Sequence, residues 1–321
     1  MIRKHWSRWA LLAALLVSFT ISQFTREIDP YVLNILLLAG INVILAVSLN
    51  LVNGHTGQFS LGHAGFMAVG AYASATLTTL YGKPLQEMLG SNQSSLTLLF
   101  IGALLFGGLL AALCGLLVGV PSLRLKGDYL AIVTLGFGEI IRVIIQNTPA
   151  LGGAMGISGV PTYSTFFWVF GLAAVTVYVI GSLVNSTYGR GFLAVRDDEV
   201  AAEAMGINTT KYKVVAFVLS AFFAGLAGGL YAHYLQYINA EGFNFMKSVD
   251  VVTMVILGGM GSTFGVLVSA VALTVMNEML RSFEQYRMIV FALLLIIMMI
   301  TRPQGLIGDL SWLRRKRSKT P

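Results

Sequence analysis

The chain has 321 residues, 56% of them hydrophobic and only 11% charged, with a mean hydropathy of +0.78. So few charges cannot clothe a water-soluble surface of this size, and the composition is that of a polytopic membrane protein. A net charge of +7 would suggest nucleic acid in a soluble protein, but here the basic residues flank apolar stretches, as cytoplasmic Lys and Arg do, and no nucleic-acid motif accompanies them.

In chain order, Met1 to Trp9 carries Arg3, Lys4 and Arg8 ahead of an apolar run, in the manner of a signal-peptide n-region. No small-residue cleavage site follows, so an uncleaved first span over 9–24 is expected. A hydrocarbon core of about 30 Å takes about 20 apolar residues as helix, and only helices or closed barrels satisfy their backbone groups in lipid. On that ruler the remaining spans fall at 31–52, 59–80, 96–120, 129–146, 166–185, 213–236, a long tract at 249–280, and 288–301. The alternation of a membrane barrel is absent. The expected fold is an all-α bundle of about 8–10 spans, forming a single transmembrane domain over 1–321.

With the N-terminus inside, the loops 121–128 and 186–212 fall inside and carry Arg124, Lys126, Arg190, Arg196 and Lys211. The tail 302–321, with Arg314, Arg315, Lys316 and Arg317, should also be inside, yet nine single crossings would leave it outside. The tract 249–280 must therefore break parity. Gly258, Gly259, Gly261 and Gly265 interrupt it around Ser262 and Thr263, predicting two short spans or a re-entrant pair of half-helices that line a cavity or pack against protein.

The hydrophilic interlude from Tyr188 to Gly206 predicts a short helix held in water between two spans. Asp197, Asp198 and Glu199 suit its N-terminus, where side-chain oxygens meet orphan N–H groups and the positive end of the dipole. Gly206 suits its end, where a left-handed residue is needed. Ala201, Ala202 and Ala204 would offer a low surface on which a partner could settle, unless this is an ordinary loop helix.

Few residues can carry chemistry. No G-x-x-x-x-G-K-[ST] sequence is present, so any ATP-driven step requires another subunit. His5, His55, His63 and His233 lack metal-site spacing, Cys114 is the single cysteine, and neither a metal nor a cofactor is expected. Glu139 and Arg142 share a face of one span; such intramembrane charges mark either function or a structural ion pair. The stretch Asn50 to His63 is polar, and Gln58, Ser60 and His63 are its candidates for a translocation path, with Asn53 to Gly57 read as a capped turn. Glycines within the spans, as in Gly62 to Gly65 and Gly225 to Gly229, read mainly as close helix packing.

Five segments, taken in order, resemble one family: Gly54-His-Thr-Gly-Gln-Phe-Ser-Leu-Gly-His-Ala-Gly-Phe66, Leu125 to Gly136, Arg196-Asp-Asp-Glu-Val-Ala-Ala-Glu-Ala-Met-Gly-Ile207, Ile256-Leu-Gly-Gly-Met-Gly-Ser262, and Arg302-Pro-Gln-Gly-Leu-Ile-Gly308. The chain resembles the longer permease subunit of bacterial branched-chain amino-acid (Liv-type) ABC importers over nearly its whole length. The resemblance implies a bacterial inner-membrane permease and no enzyme. Its implied partners are a second permease, two cytoplasmic ATPase subunits and a periplasmic substrate-binding protein. It also implies that Arg196, Asp197, Asp198, Glu199, Ala201, Ala202, Glu203 and Gly206 belong to a segment docking on the ATPase. Val200 stands where that family's docking pattern carries a glutamate. Gln58, Ser60, His63, Glu139, Arg142, Ser262 and Thr263 are the candidates for the path. The same permease type serves urea and short amides, and an ion-coupled secondary transporter is the rival class. Its usual set of interior acids is missing here.

Overall fold

The structure, a computed structural model, describes residues 2–25, 27–82, 84, 93–122, 128–283, 289–290, 292–293, 296–297, 300–301 and 305. Arg124 and Lys126, most of the span expected at 288–301, and the tail from Leu306 onward with its basic cluster lie outside the described residues.

The apolar tracts fold as helices, as their length and composition require. They are α1 (Ile2–Phe24), α2 (Pro30–Asn50), α3 (His63–Leu80), α4 (Gln93–Ser122), α5 (Asp128–Gln146), α6 (Phe166–Val184) and α9 (Thr209–Leu235). Two short helices in the hydrophilic interlude, α7 (Thr187–Asp197) and α8 (Glu199–Ala204), separate α6 from α9. Local signals set the starts. Asp29 Oδ1 accepts the Tyr31 N–H at 2.7 Å and Pro30 occupies the first turn of α2. Asn208 caps α9 in the same way, accepting from the Lys211 N–H at 2.9 Å.

Helices α2 and α9 are the most buried of the long spans and run antiparallel: Tyr234 donates to Asn34 Oδ1 at 2.6 Å and Ser220 to the Ser48 carbonyl at 2.7 Å. Helix α9 also packs against α3 and α4, where glycines bring three backbones together. A methyl group built on Gly225 would stand 2.5 Å from Ala111 Cβ and 2.9 Å from the Gly107 carbonyl, and one built on Gly107 would meet the Gly70 carbonyl at 2.7 Å. Small residues are the usual device for such close approach in a membrane. The apolar side chains on the far side of α4, among them Leu98, Leu109 and Leu117, are exposed, as lipid-facing residues should be.

The late tract is broken where the glycines predict. Helices α10 (Phe245–Gly258) and α11 (Thr263–Met279) form an antiparallel hairpin, with the Ser269 hydroxyl donating to the Met254 carbonyl and Gly258 against Gly265 and Val266. At 1.5 Å per residue they reach only about 21 and 25 Å, short of a full crossing. The hairpin returns the chain to the level at which it entered, so it adds no net crossing. Gly305, beyond the last apolar stretch, is buried against Gly259 at the hairpin tip. At the other end of α9, a two-residue antiparallel bridge pairs β1 (Ile157–Ser158) with β2 (Tyr237–Ile238) and ties the α5–α6 connection to the α9–α10 connection.

Candidate functional site

The interlude forms two helices rather than one. Asp198 separates them, accepting at Oδ1 from the Val200 N–H at 2.9 Å and the Ala201 N–H at 3.0 Å. Gly206 ends α8 at φ +82°, with its N–H on the Glu203 carbonyl and that of Ile207 on the Ala202 carbonyl. Helix α8 is fastened to the start of α9 by an ion pair, Lys213 Nζ to Glu199 Oε1 at 2.6 Å, and by Thr209 donating to Glu203 Oε1 at 2.6 Å. Rings of Tyr188, Phe192 and Tyr212 pack α7 against the same helix. Burial, with Tyr212 beside it, holds the Tyr188 phenol above its ordinary pKa.

This fastening fixes which alanines are available. Ala202 is 5% exposed and faces its own chain, so it does not join Ala201 and Ala204 in an open surface. The outward face is Val200, Ala201, Ala204 and Met205, with Val200 68% and Met205 82% exposed. The sequence could not orient α8, because alanine looks alike from every side.

At the adjoining end of α2 the chain widens into a π-helical turn, Leu51–His55, and the stretch expected as a capped turn is buried as far as Thr56. Asn50 Oδ1 accepts the Gly261 N–H of the hairpin tip at 2.9 Å, and Asn53 Oδ1 accepts the Ser60 N–H at 3.2 Å. His63 Nε2 lies 3.0 Å from the Ser48 hydroxyl. Gln58, Ser60 and His63 are all buried, and neither end of the Gln58 amide finds a protein partner among the described residues. Ser262 caps α11, accepting from the Gly265 N–H at 3.2 Å, and Thr263 is the first residue of that helix.

Arg196, at the end of α7, lies against this knot rather than outside it. A methyl group built on Gly57 would be 3.0 Å from Arg196 Cγ, and one on Gly261 3.2 Å from Nη1. The guanidinium is steered by Asp197, whose Oδ1 accepts from Nε at 3.1 Å and Nη2 at 2.9 Å. The Leu125–Gly136 segment meets the same region through Thr134, whose hydroxyl accepts the Leu61 N–H at 3.0 Å. The described parts of all five segments thus gather at one end of the bundle.

Glu139 and Arg142 are paired, Nε to Oε2 at 2.7 Å, and both are partly exposed. Glu139 borders a narrow cleft with Leu61, Ala64, Gly138, Asn244 and Ser248, which adjoins the knot at Leu61. The sequence reading missed Lys247, which donates to Asn42 Oδ1 at 3.1 Å while Asn42 donates to Thr274 at 2.9 Å. Its signal was a charge just ahead of the late tract, with Asn244 available as a cap for α10. Among the described residues no group of three or more His, Cys, Asp or Glu side chains is placed to hold a metal.

A polytopic helical bundle with a broken helix pair and a folded hydrophilic element at the mouth of that break is an architecture that membrane transport proteins use. Residues 31–299 match the family model described as the branched-chain amino acid transport system permease component, and the chain belongs to that family. It is 39% identical over 302 residues to the high-affinity branched-chain amino acid transport system permease protein LivM of Salmonella typhimurium, an alignment covering 83% of this chain and 68% of the relative. Identity to LivM of Escherichia coli is 37% over 332 residues, covering 92% and 73%. The LivH permease of Salmonella typhimurium is 23% identical over 288 residues, covering 83% and 90%. No solved structure matches the chain.

Proposed function

We propose that the chain is one of two membrane subunits of an ATP-driven importer of branched-chain amino acids. It forms part of the translocation path and docks the outward face of α8 on a separate ATPase. The observation that carries this reading is the outward apolar face of α8, Val200, Ala201, Ala204 and Met205, on an element capped and ion-paired to α9 outside the long spans. An exposed apolar face on a polar element outside the long spans fits the docking of a protein partner. The companion subunit is a second permease of the same family, a periplasmic protein delivers the cargo, and the loop 186–212 lies on the cytoplasmic side of a bacterial inner membrane. The hairpin's zero net crossing and the position of Gly305 support both termini on that side. Gln58, Ser60, His63, Ser262 and Thr263 belong to the inner end of the path, and Glu139 with Arg142 lies farther along it.

The test is uptake of labelled leucine, with urea in parallel, into proteoliposomes holding this chain, its companion permease, the ATPases and the binding protein. Leucine uptake that requires ATP is expected. Urea uptake would replace the cargo, and uptake driven by an ion gradient without ATP would replace the mechanism.

A further inference from the structure

Arg196, partly exposed at the end of α7, lies beside the bundle rather than on the outward face of α8. Its stem lies on Gly57 beside the π-helical turn, and its Nη1 lies at Gly261 in the tip of the α10–α11 hairpin. Among the described residues the tip is also met by Asn50 Oδ1 on the Gly261 N–H, by Gly54 against Gly261, and by Gly305 against Gly259. Glycines meet Arg196 at both points of this contact, Gly57 under its stem and Gly261 at Nη1, so the backbones stand close there. Asp197 fixes the direction of the guanidinium from within the same helix.

From this geometry we infer that Arg196 is a positioning residue, the rigid joint that transmits movement of α7 to the hairpin tip and so couples ATP turnover to opening of the path at that end. The inference rests on the proposed importer function and assigns Arg196 an inward role distinct from ATPase docking. A planar, doubly anchored guanidinium suits this task, because it is pre-organised where a lysine would be free to turn. Two discrete placements of the hairpin tip, biased through one contact, are what transmission of this kind requires.

The experiment measures leucine transported per ATP hydrolysed by the assembled importer in proteoliposomes, for R196A, R196K and the control R190A. Arg190 lies on the same helix, with its guanidinium on Thr187 at 3.4 Å. R196A is expected to lower leucine transported per ATP about ten-fold, in the range of a typical coupling free energy, with ATPase co-purification and ATP turnover within about two-fold of wild type. R196K, which keeps stem and charge without the fork on Asp197, should fall between, and R190A should match wild type. A wild-type ratio in R196A overturns the inference; if R196A does not accumulate, a wild-type ratio in R196K does so. Loss of ATPase co-purification in R196A would also overturn it, placing the residue in docking. If the unaltered importer shows no ATP-dependent uptake, the proposed function fails instead.

Discussion

Replacing Ala201 or Ala202 with arginine separates docking on α8 from the folding of α8. The two residues are neighbours, yet Ala201 is exposed and Ala202 is buried against its own chain. An exposed substitution away from caps and pairs changes stability by at most about 0.5 kcal/mol, so A201R should insert and fold normally. At a docked apolar face the same arginine adds bulk and a desolvated charge, a loss of about 2 kcal/mol or more, which corresponds to roughly 30-fold weaker ATPase binding. A202R instead overpacks the α8–α9 contact at about 1–3 kcal/mol and should release α8, exposing 198–206 to protease. The assay is ATPase affinity for the purified permease pair, alongside limited proteolysis of the permease alone. Wild-type affinity in A201R would refute the docking face; a protease-resistant loop in A202R would refute the orientation of α8.

Further outcomes follow from other contacts. E199A leaves the Lys213 amine, 8% exposed, without its partner, and should destabilise the solubilised protein by about 1–2 kcal/mol after allowance for partial exposure. Adding K213M should recover part of that loss in thermal melting. G107A drives a methyl into the Gly70 carbonyl and should cost about 1–3 kcal/mol, whereas G102A on the same helix, with open space around it, should be neutral or slightly stabilising; equal melting shifts would contradict the three-glycine contact. N50A strips the hairpin tip of the acceptor for the Gly261 N–H and should cost about 1–3 kcal/mol, read as lower thermal stability of the permease.

Much of the bundle was legible because a 30 Å hydrocarbon layer imposes its length on any helix that crosses it. The spans over 31–52, 129–146 and 166–185 lie within a few residues of the helices found, and the glycine break in the late tract falls at Gly259–Ser262. Orientation within the bundle was not legible. Lipid-facing and protein-facing surfaces are equally apolar, so periodicity does not reveal that α9 is a core helix. The π-helical turn was hidden because the side chains around it act on backbone elsewhere: Asn50 Oδ1 accepts the Gly261 N–H, 211 residues away, and Asn53 Oδ1 accepts the Ser60 N–H. Helix α10 begins earlier than hydropathy suggested because Lys247 and Asp250 depress the average over its first turns. The burial of Ala202 depends on the reach of Lys213 back to Glu199.

The short α10–α11 hairpin bears on how the protein is made. Helix α10 carries Lys247 and Asp250 in its first turns, and charged residues disfavour entry into lipid, by about 2.5–3.5 kcal/mol each at a helix centre and less toward its ends. Its stabilising groups, the Asn42 and Asn50 amides, lie on α2, synthesised some 200 residues earlier. The hairpin therefore enters the bilayer as a client of α2 rather than by its own greasiness, and α2 serves as an internal template. Asn42 and Asn50 thereby serve assembly as well as stability, since they give a late-made hairpin with charges in its first turns polar groups to partition onto.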